Sequence, residues 1–143
     1  MPTLAHSMAA TTRAARTVAV PLGGRSYDVL IGPDLLAEAG RLIAGRLGKA
    51  RCGIVTDENV AHHHLATLEA SLKAEGRHKG SIVLPPGEPT KSFGALGPLS
   101  EQLLELGLER GDLVVAFGGG VIGDLAGFAA GILRRGIRFV QIP

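Results

Sequence analysis

The sequence predicts an α/β protein, a Rossmann-like and mostly parallel sheet with helices on both faces, preceded by an N-terminal β-hairpin. Three observations predict it. Short aliphatic runs alternate with segments of helical periodicity along most of the 143 residues, the pattern of strand–helix–strand units. Hydrophobic residues make up 45% but aromatic ones only 3%, so the core is aliphatic. The 21 glycines imply numerous loops, a mix with the aliphatic core that suits α/β proteins. The length suits one domain and is short for two, so residues 1–16 read as a flexible tail and residues 17–143 as the domain.

Residues 18–21 and 27–31 are apolar or alternating runs separated by Leu22-Gly23-Gly24-Arg25-Ser26, which reads as a hairpin. Beyond Gly32-Pro33, Asp34 can cap a helix in which Leu35, Leu36, Ala39, Leu42, Ile43 and Leu47 recur at spacings of three and four, with Gly48 closing it. Residues 52–56 form the next strand, followed by a polar loop through Asp57-Glu58-Asn59 and a helix carrying Val60, Leu65, Leu68 and Leu72. Residues 80–84 make a strand that Pro85-Pro86-Gly87 stops, and residues 92–106 an amphipathic helix. Residues 113–117 are the fourth run; they feed a glycine stretch, a helix near residues 124–133, and a last strand over residues 137–142. Right-handed crossovers put the strand-to-helix loops along one edge, where open α/β sheets bind ligands.

Composition narrows the function. The formal charge of +2 comes from Arg13 and Arg16 in a head without acids; setting them aside leaves 13 basic residues against 13 acidic ones. Nucleic-acid binders carry a basic face interleaved with aromatics, and that class is set aside. No apolar run reaches the ~18 to 20 residues of a membrane span, and the opening residues lack the apolar stretch of a secretory signal. The lone Cys52 forbids an internal disulfide, fits a cytoplasmic setting and reads as a small core residue.

Three loops share the predicted edge: Asp57-Glu58-Asn59, residues 85–91 ending in Glu88-Pro89-Thr90-Lys91, and Gly118-Gly119-Gly120-Val121-Ile122-Gly123-Asp124. Glycines let backbone approach a bulky anion, and amides at a helix start face phosphate oxygens with the helix dipole behind them. Gly118, Gly120 and Gly123 satisfy G-x-G-x-x-G between strand and helix, but after the fourth α/β strand instead of the first, with no acid ~20 residues on to hold a ribose. A glycine run at a strand end serves tight helix–sheet packing equally, and Asp57 and Asn59 serve equally as caps. Lys91 at a helix start opposes the dipole, which hints at an anion. Arg134, Arg135 and Arg138 read either as a cationic helix C-terminus or as an oxyanion clamp. His62-His63-His64 point ~100° apart on a helix and cannot all meet one metal ion; His78 is a lone loop residue.

Residues 118–143, GGGVIGDLAGFAAGILRRGIRFVQIP, closely resemble the core motif of the 3-dehydroquinate synthases. Thr56-Asp57-Glu58-Asn59-Val60, and Pro86-Gly87-Glu88 with Lys91 three residues on, add to the resemblance in the family's order and approximate spacing. The resemblance implies an N-terminal α/β domain that binds NAD. It also implies a helical C-terminal domain, absent from these 143 residues, that supplies a divalent metal (zinc or cobalt) through a glutamate and two histidines. By resemblance Asp57 and Asn59 contact the adenosine side of NAD, Glu88 and Lys91 hold ribose and neighbouring parts, and Gly119, Gly120 and Asp124 line the pyrophosphate and nicotinamide ribose. Arg135 resembles the arginine that grips the substrate phosphate in a neighbouring subunit, which implies a homodimer. The implied reaction converts 3-deoxy-D-arabino-heptulosonate 7-phosphate, a sugar phosphate, to 3-dehydroquinate and phosphate in the shikimate pathway, with no turnover expected from the 143 residues alone. A related cyclase such as a 2-deoxy-scyllo-inosose synthase shares the NAD motifs, and a stand-alone nucleotide-binding module is the alternative from another class.

Overall fold

Alternating side chains on the central strands decide how this molecule is layered. The computed structural model describes residues 15–143, so most of the expected tail lies outside the described residues. The chain divides after Leu35 into two compact units, where the sequence predicts one domain. The first holds β1 (Arg16–Val20) and β2 (Tyr27–Ile31), paired antiparallel with Val18 opposite Val29. β1 begins at Arg16, the residue assigned to the end of the tail. At the turn the Ser26 hydroxyl donates to the Gly23 carbonyl at 2.7 Å and accepts from the Leu22 amide at 2.9 Å. No residue of either strand is fully buried; a two-stranded ribbon has too little apolar contact to build a core of its own.

The second unit is a four-stranded parallel sheet of β3 (Cys52–Asp57), β4 (His78–Leu84), β5 (Leu113–Phe117) and β6 (Arg138–Ile142), in the order β4-β3-β5-β6. The helices are α1 (Leu35–Leu47), α2 (Glu58–Val60), α3 (Ala66–Ala74), α4 (Phe93–Glu105) and α5 (Gly120–Ile132), with a π-helical turn, Ala61–Leu65, joining α2 to α3. Cys52 and Ile54 of β3, with Leu113, Val115 and Phe117 of β5, pack against Ala39 and Ile43 of α1 and Leu68 and Leu72 of α3. Val55, Val114 and Ala116, their neighbours in sequence, pack on the opposite face against Leu99 and Leu103 of α4 and Leu125, Ala126 and Ala129 of α5. A strand covered on both faces reads as a continuous apolar run, and all five residues of β5 are buried. Cys52 is a core residue, 0% exposed, and burial pushes its thiol up to about 11.

Other boundaries also differ from the sequence reading. Helix starts at Glu58 directly after β3, so no polar loop separates them. β4 begins at His78, opposite Cys52, so His78 is a strand residue; the Ser81 hydroxyl, 2.7 Å from Glu69 Oε1 and 3.0 Å from His78 Nε2, gives this half-buried start polar partners. α5 begins at Gly120, four residues before Asp124; glycine costs a helix less at its start than in its interior, where α5 nevertheless carries Gly123, Gly127 and Gly131.

Strand order fixes where a ligand can enter. The chain passes from β3 out to β4, returns past β3 to β5, and continues outward to β6. The direction reverses between β3 and β5, whose following helices leave toward opposite faces. That divergence opens a crevice at the carboxyl ends of the two strands, the position at which such sheets bind ligands.

Candidate functional site

Two helices begin at this crevice, and they begin differently. Asp57, the last residue of β3, accepts hydrogen bonds on Oδ1 from the amides of Asn59 at 2.9 Å and Val60 at 3.0 Å, which caps α2. Next along the edge, the Ser92 hydroxyl caps α4 by accepting from the Ala95 amide at 3.2 Å. α5 has no such partner: Gly119 stands at its N-cap position in extended backbone with no side chain to offer. Its first turn closes with the Gly123 amide donating to the Gly119 carbonyl at 3.0 Å, which leaves the amides of Gly120, Val121 and Ile122 without intrahelical partners.

The glycines of this loop divide by what surrounds them. Gly118 has φ +149°, and a Cβ there would come within 3.2–3.3 Å of the Ile122 side chain and 3.6 Å of Asp57 Oδ2, so the β3 and β5 ends touch at this point. A Cβ on Gly123 would lie 2.7 Å from Gln141 Nε2; this is the close helix–strand approach that the third glycine of the motif serves. Gly119 and Gly120 would meet nothing within 4 Å. Packing therefore accounts for Gly118 and Gly123 and not for Gly119 and Gly120, whose bare backbone borders open space. Gln141 escapes sequence reasoning, since nothing about a polar residue in the last strand marks it as the neighbour of a helix start.

Charge at the rim is paired. Lys91 Nζ lies 2.7 Å from Asp124 Oδ2 and 3.9 Å from Glu88 Oε1, with the Lys91 and Asp124 side chains 44% and 61% exposed. The hydrogen bond to Asp124 and its charge, with a smaller contribution from Glu88, hold the ammonium above its ordinary range. Glu88 opens a single 3-10 turn, Glu88–Thr90, anchored by the Thr90 hydroxyl donating to the Pro85 carbonyl at 2.6 Å.

Of the residues the sequence singles out, the structure thus brings Asp57, Asn59, Glu88, Lys91, Gly119, Gly120 and Asp124 to one edge. Arg135 is elsewhere. α5 carries the chain away from that edge over 13 residues, a length of about 20 Å at the usual rise per residue. Leu133–Gly136 then forms a tight turn, its Gly136 amide donating to the Leu133 carbonyl at 2.7 Å, with Arg134 and Arg135 in left-handed backbone at φ +50° and +66°. These two exposed arginines do not prolong α5, and Arg138 donates instead to the Gly111 carbonyl at 3.0 Å, so the three do not form one clamp. His62, His63 and His64 are exposed on the π-turn. Among the described residues no group of three His, Cys, Asp or Glu side chains could hold a metal ion, and no helix is long and apolar enough to cross a membrane.

A family model described as 3-dehydroquinate synthase N-terminal matches residues 81–143. The 3-dehydroquinate synthase of Rhizobium etli is 57% identical over 133 residues, 93% of this chain and 35% of that protein. That of Ruegeria sp. strain TM1040 is 57% identical over 90% of this chain and 34% of its own length. Among solved structures, a 2-deoxy-scyllo-inosose synthase superposes with a TM-score of 0.78 at 24% identity, over 90% of this chain and 36% of that one. A Streptomyces hygroscopicus 2-epi-5-epi-valiolone synthase, solved with NAD+ and Zn2+ bound, superposes at 0.70 with 32% identity, over 87% of this chain and 34% of its own. The chain spans about a third of the length of the relatives it matches.

Proposed function

We propose, from the premise that this chain corresponds to the N-terminal third of the 3-dehydroquinate synthases, that residues 17–143 are the NAD-binding part of such an enzyme. The observation that carries the reading is the uncapped start of α5 at the reversal between β3 and β5. Unpaired amides aligned with a helix dipole, behind glycines that packing does not require, fit a pyrophosphate. Asp124, within a turn of those amides, would accept from a ribose hydroxyl. Asp57, already fixed by two amides, and Asn59 beside it would meet the adenosine side. Glu88 and Lys91 close the far rim.

The reaction proposed for the whole enzyme converts 3-deoxy-D-arabino-heptulosonate 7-phosphate to 3-dehydroquinate and phosphate, a step of aromatic biosynthesis by the shikimate route. The chemistry a bound NAD would supply is a hydride acceptor for a substrate alcohol; the ketone so formed would make the adjacent proton acidic enough for phosphate to leave before the hydride is returned. The residues in hand bind and orient. Those described hold no metal-ligand set, so the divalent ion borne by a relative finds no fit here and no step is assigned to it. Arg135, remote from its own chain's glycine loop, suits a role in a second subunit's site, and with it a homodimer. We assign the protein to the cytoplasm, in keeping with its one free, buried cysteine. The heptulosonate reaction is favoured over that of another cyclase because identity is 57% to the named synthases, against 32% and 24% to the two other cyclases.

Calorimetric titration of NAD into the 143-residue chain tests the reading. Saturable binding, weakened by Asp124→Ala, is expected, with no phosphate released from the heptulosonate phosphate. A folded chain that shows no binding heat would contradict the cofactor assignment, and phosphate release would contradict the expectation of inactivity.

A further inference from the structure

Val60 and Leu65 are partly buried against the core that Leu68 and Leu72 of α3 help to build. They stand five residues apart, and an α-helix at 3.6 residues per turn would set such a pair about 140° apart, on different faces. The π-helical turn Ala61–Leu65 resolves the conflict. Its looser winding, with roughly 80° between successive residues, brings two positions five apart back to within about 50° of each other. Three of the residues between, His62, His63 and His64, are thereby carried outward, and all three are exposed. The same winding narrows the angle between neighbouring imidazoles. The ring centroids of His62 and His63 lie 4.7 Å apart with planes at 81°, whereas those of His63 and His64 lie 5.9 Å apart at 52°.

An imidazole nitrogen binds a divalent ion at about 2.0 to 2.1 Å, which sets the ring centroid about 3.2 Å from the metal. Two imidazoles on one ion then have centroids about 4.5 Å apart at a right angle and about 5.2 Å apart at the tetrahedral angle. The separation of His62 from His63 matches the right-angled arrangement; that of His63 from His64 would demand an angle of about 135°. The ring torsion of histidine is broad, so at exposed positions rotation about Cβ–Cγ can turn both nitrogens onto a common ion. We propose that His62 and His63 form a two-imidazole site for a divalent transition ion that takes nitrogen ligands at right angles, Ni2+ or Cu2+, with water in the remaining positions. Among the described residues no third His, Cys, Asp or Glu completes it, so it is distinct from the glutamate and two histidines that the resemblance places in the helical domain. It stands independently of the cofactor reading. One exposed imidazole holds such an ion weakly, and a second tethered beside it acts at an effective concentration in the millimolar range. Both rings are therefore required, and His64 is not.

The experiment titrates nickel chloride by calorimetry into the purified chain, free of any affinity tag, and into His62→Ala, His63→Ala, His64→Ala and the double His62→Ala/His63→Ala. The three positions are exposed and alanine favours helix, so the unfolding midpoints of the variants should stay with the wild type's. One ion per chain is expected. His62→Ala and His63→Ala should each weaken it by roughly tenfold or more, the double variant should abolish saturable binding, and His64→Ala should stay within about threefold of the wild type. With Cu2+ as the probe, electron paramagnetic resonance should count two imidazole nitrogens in the wild type and one in either single variant of the pair. A folded wild-type chain without saturable Ni2+ binding overturns the inference. So does a His64→Ala chain as impaired as the other two, or a double variant that still binds.

Discussion

The starts of α2 and α5 lie side by side at one crevice, follow adjacent parallel strands, and treat their free amides in opposite ways. At α2 a single carboxylate, Asp57, takes two amides for itself. At α5 three amides remain without helical partners behind a glycine that cannot cap. Both helices meet the same requirement, that backbone donors find acceptors. One meets it within the chain, and the other leaves three donors open at the crevice. The difference teaches where to look in such a sheet: the informative helix start is the one the chain has not finished, and the capped neighbour is the control.

Substitutions at three positions test that contrast, in decreasing order of their expected effect on stability. Gly118→Val sets a β-branched residue in backbone at φ +149° with a Cβ pressed against Ile122; a loss of about 2 to 3 kcal/mol in denaturant unfolding is expected from strain and overpacking together. Asp57→Ala removes the α2 cap and should cost about 1 to 2 kcal/mol, whereas Asp57→Asn, which caps as well, should cost little. Gly119→Asp gives α5 the cap it lacks: Gly119 lies in extended backbone with open space around its Cβ position, so the chain should gain a few tenths of a kcal/mol, about what separates aspartate from glycine at an N-cap. The same substitution should cut NAD affinity by about tenfold or more, since the new carboxylate competes for the amides and repels the phosphates. A Gly119→Asp chain that binds NAD unimpaired would remove the contrast between the two helix starts.

Much of this is legible in the sequence. Aliphatic runs of five or six residues, separated by helical periods, specify strands buried on both faces, and the loops they predict do converge on one edge. The hairpin is legible as a hairpin; the division of the chain into two compact units is not, since it depends on how much each unit buries. Elsewhere the local signal was ambiguous or misleading. Glycine's low helix propensity argues against a helix beginning at Gly120, yet an N-terminus without side chains is what the fold builds there. The pairing of Lys91 with Asp124 joins residues far apart in sequence through the packing of α4 on α5, which no local pattern encodes. Arg134 and Arg135 look like a cationic helix end because arginine rarely adopts left-handed backbone; only Gly136 marks the turn that separates them from α5. The loop holds four glycines that look alike in sequence, and only the tertiary neighbours sort Gly118 and Gly123, held by packing, from Gly119 and Gly120, which face open space.

The most direct test of the central claim maps backbone amides of the isotopically labelled chain by NMR as NAD is added. The amides of Gly119, Gly120, Val121 and Ile122 are expected to shift most and to gain protection from exchange, while those of Asn59 and Val60, already bonded to Asp57, shift less. Saturable NAD binding that moves the α2 start and leaves the α5 start unchanged would contradict it.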